Sequence, residues 1–123
     1  MKYKLTLTEE QAEIVAAACE LYMRIRMGQF GEITFLNMIG QSMDGTNWVS
    51  RRDGADSLLF RARALIYPEL GADRGRSYGV GKFDDADVAY NVYQALREKF
   101  PKDGRPAVPI VGPVPGCEVI QEE

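Results

Sequence analysis

Apolar and polar residues alternate strictly from Lys2 to Leu7, with Tyr3, Leu5 and Leu7 on one side and Lys2, Lys4 and Thr6 on the other. A period of two predicts a half-buried strand. The period then lengthens. Ile14, Ala18, Leu21 and Ile25 recur at steps of three and four, with Val15 and Tyr22 alongside, and predict an amphipathic helix over residues 9–27. Thr8-Glu9-Glu10-Gln11 opens that helix as a capping box, and its glutamates suit the positive end of the helix dipole. Glu20 and Arg24 stand i,i+4 and read as a surface ion pair. Arg26 falls beside Tyr22, on the shoulder of the apolar stripe. Gly28 leaves two readings open. If the helix continues, the Gln29 amide lands on the apolar stripe and needs a partner or a ligand; otherwise Gly28 ends or kinks the helix and Gln29 caps the next segment.

Gln29 to Ile39 is apolar at Phe30, Ile33, Phe35, Leu36, Met38 and Ile39 and predicts a second, shorter helix. Gly40 to Val49 reads as a loop turning at Asp44-Gly45-Thr46-Asn47, with Trp48 anchoring it to the core or serving a partner surface. Ser50 or Asp53 caps a third helix with the stripe Leu58, Ala62, Leu65 and Ile66, Leu59 alongside. It stops by Tyr67, because Pro68 disfavours helical geometry in the residue before it. Arg61 and Arg63 bracket the stripe and face solvent by default, or turn inward to a ligand. Asp84 caps a fourth helix, buried through Val88, Ala89, Val92, Tyr93, Leu96 and Phe100 and ending at Pro101. The stretch from Pro106 to Glu123 holds four prolines and two glycines and reads as extended, an edge strand or an arm over another surface.

Composition narrows the class. With 123 residues, 46% of them hydrophobic and 27% charged, the chain fits one globular domain over 1–105 with an extended arm over 106–123. No apolar run approaches the roughly 18 residues a membrane helix needs. The N-terminus does not read as a signal peptide, so the expected setting is cytosolic. Cys19 and Cys117 make no metal-type spacing and are expected to stay reduced. Histidine is missing altogether, which removes the commonest general base and metal ligand and every imidazole triad. No cofactor motif is present either, and the expectation is a protein that is not an enzyme.

Charge is uneven. Net charge is −3, yet residues 51–82 carry seven cations against four anions. A basic middle inside an acidic whole argues against general nucleic-acid binding, which needs a broad positive surface, but suits one small anionic ligand. The chemistry concentrates in Asp73-Arg74-Gly75-Arg76-Ser77-Tyr78-Gly79-Val80-Gly81-Lys82-Phe83. Arginine and lysine supply charge-assisted donors, glycine allows close backbone approach, and Tyr78 and Phe83 offer rings for a base to stack on. A solvated loop between two helices is the competing reading. A phosphate at the start of the fourth helix is disfavoured by Asp84, Asp85 and Asp87, and Gly79-Val80-Gly81-Lys82 lacks the spacing of a Walker loop.

Two blocks carry a resemblance. Leu7-Thr8-Glu9-Glu10-Gln11-Ala12, continuing through Ala18-Cys19-Glu20-Leu21-Tyr22-Met23-Arg24-Ile25-Arg26-Met27-Gly28-Gln29-Phe30, resembles a family of small proteins of phages and prophages of Gram-positive bacteria. Ser77-Tyr78-Gly79-Val80-Gly81 with Ala89-Tyr90-Asn91-Val92-Tyr93-Gln94-Ala95-Leu96-Arg97 is similar to that family's second recurrent block, and together the blocks cover about a third of the chain. The family has no assigned reaction. By analogy, phages encode small, catalytically inert oligomers that sequester the nucleotide signals of bacterial defence, which here implies the cytoplasm of an infected host.

These readings converge on an α+β domain, about four helices on a small antiparallel sheet, assembled as a dimer or larger. The first expected function is non-enzymatic capture of a small (cyclic) nucleotide. Arg26, Arg74, Arg76 and Lys82 neutralise phosphates, Tyr78 or Phe83 stacks on a base, and Gln29 reads a base or ribose edge. The second is an interaction module that blocks or adapts a host or phage protein. A third, a metal-dependent hydrolase using Asp84 and Asp87, rests on carboxylates that are ordinary at a helix start.

Overall fold

A computed structural model describes residues 1–35, 48–99 and 117–122. They contain helix α1 (Glu9–Arg26), a 3₁₀ helix (Phe30–Phe35), helix α2 (Trp48–Ile66) and helix α3 (Asp84–Arg97). The expected α+β fold is therefore corrected to a helical one: no strand or sheet occurs among the described residues. Lys2–Leu7 shows why. Alternation marks a strand only when a neighbour covers one face and takes up its backbone groups, and here Tyr3 and Leu5 stay 87% and 76% exposed. Residues 117–122 likewise form no strand. The rest of the arm, with its Val108–Val111 piece, lies outside the described residues, as do 36–39 of the second helix and the turn at 44–47.

The chain divides into two compact units, residues 1–23 with 87–123, and residues 24–86. In the first, buried Ala16 of α1 and Leu96 of α3 form a core cluster, with Ala12, Val15, Val92, Tyr93 and Val119 packed around them. The capping box forms as its residue types dictate: Gln11 N–H donates to Thr8 Oγ1 (3.2 Å) and Thr8 N–H donates to Gln11 Oε1 (3.0 Å). The buried stripe is not the expected one. Ile14 is 67% exposed while Ala16, roughly 200° further round the helix, is fully buried. Small residues on the Ala12–Ala16 face allow a close approach that the bulkier Ile14 face does not. Tyr93 anchors a polar patch, its hydroxyl bonded to Glu20 and Arg97.

The second unit begins with the end of α1. Gly28, at φ +87°, sends its N–H to the Ile25 carbonyl (3.0 Å) and Gln29 sends its own to Arg24 (2.8 Å), the paired bonds of a Schellman stop. Gly28 thus ends the helix, the second of the two readings above. A Cβ there would meet Leu70 Cδ1 at 2.6 Å, so glycine is required by space as well as by φ. Met27, Phe30, Phe60, Leu70 and Ala86 are the buried apolar residues among those described in this unit.

α2 starts at Trp48, ahead of both expected caps, and ends at Ile66 as Pro68 requires. Trp48 is 45% exposed in the first turn, with the Arg52 guanidinium 4.9 Å from its ring; the loop expected before it lies outside the described residues. The helix buries Asp56, Phe60 and Arg63, not the aliphatic stripe: Leu58, Leu65 and Ile66 are 64%, 84% and 59% exposed.

Candidate functional site

The residues that could act on a ligand lie mostly in the second unit, and Arg63 sets their frame. It is fully buried, and all five of its N–H donors reach backbone carbonyls. Nη1 donates to Gly28 (2.9 Å) and Arg76 (2.6 Å), Nε and Nη2 both donate to Gly71 (3.3 and 3.2 Å), and Nη2 also donates to Asp73. Burial lowers its pKa, the Asp73 charge acting the other way. One side chain therefore ties the end of α1 to the loop 71–76, and Phe60 lies beneath it at 4.6 Å. The loop is fastened again where Tyr78 N–H donates to the Met27 carbonyl (2.8 Å).

Upon this frame four of the seven expected ligand residues meet. The Arg26 guanidinium lies 3.7 Å over the Phe83 ring. Phe83 meets Tyr78 edge-on at 5.2 Å, and the Lys82 ammonium stands 5.3 Å over Tyr78. Tyr67 completes the cluster, edge-on to Tyr78 (5.5 Å) and stacked on Phe83 (6.4 Å). Its hydroxyl donates to the Arg26 carbonyl (2.9 Å) and accepts from Arg26 Nη1 (3.1 Å). Arg26 Nε donates to Asp85 (3.1 Å). The Tyr67 hydroxyl and the Asp85 carboxylate raise the Arg26 pKa, so its charge is firmly held. The Nη2 edge takes no part in these bonds, and the Arg26 side chain keeps 37% of its surface.

The other three expected residues do not join. Gln29 Oε1 accepts from Arg24 Nη1 (2.8 Å), which places its amide at the end of α1. Arg74 turns to α2, donating to Ser57 Oγ (3.2 Å) and standing 3.8 Å from the Asp56 carboxylate, itself 2.7 Å from Thr34 Oγ1. Arg76 is exposed, contributing its carbonyl to Arg63. Arg24 does not rest as a simple surface pair: it also approaches Glu32 at 3.5 Å.

Sequence reasoning missed Tyr67 and Arg63. Tyr67 figured only as a helix stop, and Arg63 as a cation facing solvent by default or turning inward to a ligand, not to backbone carbonyls. The signal was present in spacing: Asp56, Phe60, Arg63 and Tyr67 recur at four, three and four, but a stripe scored on aliphatic residues passes over them. A shallow apolar groove of about 470 Å³ lies elsewhere, along the outer face of α2 at Leu58, Arg61, Ala62, Leu65 and Ala72. Among the described residues no three carboxylate or thiol side chains converge as a metal site, and no helix is long and apolar enough to cross a membrane.

No family model, curated protein or solved structure matches this chain.

Proposed function

We propose that the protein is a non-enzymatic binding protein that captures a small nucleotide at the Arg26–Tyr67–Tyr78–Lys82–Phe83 cluster. The observation that carries this reading is the meeting of cations and flat rings from the end of α1, the end of α2 and the glycine-rich loop. The Arg26 Nη2 edge and the exposed Lys82 ammonium are the donors left for phosphate oxygens, and the aromatic rings are the surface for a base. Arg74, Arg76 and Gln29 have no part in it. The phage resemblance suggests a cyclic nucleotide defence signal as the ligand, held by an oligomer in the host cytoplasm.

A panel of cyclic di- and trinucleotides and ADP-ribose derivatives, followed by melting temperature, tests this. A ligand at about a hundred times its Kd stabilises by about 2.7 kcal/mol. Lys82→Ala, at an exposed side chain, should abolish most of the shift while leaving the unliganded melt in place. Intact ligand recovered after heating fits capture; a cleaved product means an enzyme. No shift with any nucleotide sinks the reading. The second one, an interaction module that blocks or adapts a protein, is favoured by the uncovered apolar face of α2, and binding of a protein lost in Leu65→Glu but kept in Lys82→Ala would select it.

A further inference from the structure

In the first unit the two cysteines, far apart in sequence, are brought to one place. Val119 packs against the buried cluster of Ala16 and Leu96, which brings the segment 117–122 to α1 and α3. Cys19 stands three residues beyond Ala16 on α1, and Cys117 two residues before Val119. Three helical residues advance about 4.5 Å and two extended residues span about 6.6 Å, so each thiol lies a short step from the shared contact, and the two are near enough for charge on Cys117 to act on Cys19. Both thiols are half-buried, and residues 117–122 are held in neither helix nor strand, which leaves the backbone able to meet the geometry of an S–S bond.

We propose that Cys19 and Cys117 are a redox modification site, which an oxidising disulfide such as oxidised glutathione converts to an intramolecular Cys19–Cys117 bond. One cysteine thiolate attacks a sulfur of oxidised glutathione, forming a mixed disulfide and releasing one glutathione thiolate. The second cysteine thiolate attacks the protein-side sulfur, closes the Cys19–Cys117 bond and releases the second glutathione. The protein loses two protons and two electrons; the two departing glutathiones take up both. The bond would clamp the C-terminal segment to α1 and close a loop containing most of the chain, which restricts the unfolded state far more than the folded one.

Burial raises the pKa of both thiols, and a charge on Cys117 raises that of Cys19 further. Few thiolates exist at neutral pH, so closure is slow there and quickens as the solution becomes alkaline.

The test treats the full chain with oxidised glutathione under mildly alkaline conditions, traps free thiols with iodoacetamide and maps the peptides, with and without urea. The expected result is loss of both free thiols, a linked Cys19–Cys117 peptide in the monomer, faster closure without urea than with it, and a melting temperature raised by several degrees. Cys19→Ser should leave glutathione attached to Cys117 with no such rise. Glutathione retained on either wild-type cysteine, chains linked to one another, thiols left unreacted, or closure no faster than in urea would each overturn the proposal.

Discussion

Arg63 meets a demand that few side chains can. A buried guanidinium needs five acceptors in its own plane, and the carbonyls of Gly28, Gly71, Asp73 and Arg76 supply them without any carboxylate bonded to it. An ammonium has three donors on a tetrahedral head, so Arg63→Lys keeps the charge but leaves at least one carbonyl buried without its donor. Each hydrogen bond from a charged group contributes about 1.5–3 kcal/mol, and an abandoned buried partner costs about 1–3 kcal/mol. Arg63→Lys should therefore lower unfolding free energy by about 2 kcal/mol or more, and Arg63→Met by more still, read from urea midpoints at unchanged slope. A lysine variant within half a kcal/mol of wild type would mean that the carbonyls find water instead. The same residue explains why the default sequence reading failed at this position: charge alone places arginine in solvent, and only the folded chain brings the Gly28 carbonyl and loop 71–76 together as its acceptors.

Where elements start and stop was largely legible; which face they bury was not. Thr8–Gln11, Gly28 and Pro68 act through bonds and backbone limits within a few residues, and α1 and α2 obey them. Facing depends on what arrives from elsewhere. Leu58, Leu65 and Ile66 make the obvious stripe of α2, yet Phe60 and Arg63 point inward because their partners are the Phe30 turn and the carbonyls of loop 71–76. The strand expected at Lys2–Leu7 failed for the same reason, lacking a neighbour. The two faces of α2 give a direct check. Phe60→Ala should cost about 3–5 kcal/mol, as core aromatic truncations do, whereas Leu65→Glu should stay within about 0.5 kcal/mol of wild type in thermal or urea unfolding. A large loss for Leu65→Glu would mean that this face is covered in the protein's working state.

At the scale of the whole molecule, three groups of the first unit, Cys19, Cys117 and Tyr93, have their pKa raised by folding. Burial is the leading cause at each, and the bond to Glu20 adds to it at Tyr93 while Arg97 opposes it. An acid whose pKa is raised by folding holds its proton more tightly in the native state. Between the ordinary and the folded value the native chain then binds more protons than the unfolded one, and stability falls as pH rises. The ordinary values are 9.0 for the thiols and 10.0 for the phenol, so their contribution is complete below about pH 9 and is lost in succession above it. Urea midpoints taken under reducing conditions should be insensitive to these three groups at neutral pH and decline on the alkaline side. The double variant Cys19→Ser, Cys117→Ser removes the earlier part of that decline, because serine does not ionise there, and the later part belongs to Tyr93. Its counterpart Tyr93→Phe should be less stable at neutral pH, having lost its bonds to Glu20 and Arg97, but should flatten the later part. If the serine pair left the alkaline slope unchanged, the thiols would be as well solvated folded as unfolded, and the contact that Val119 makes with Ala16 and Leu96 would not bring Cys117 into shelter.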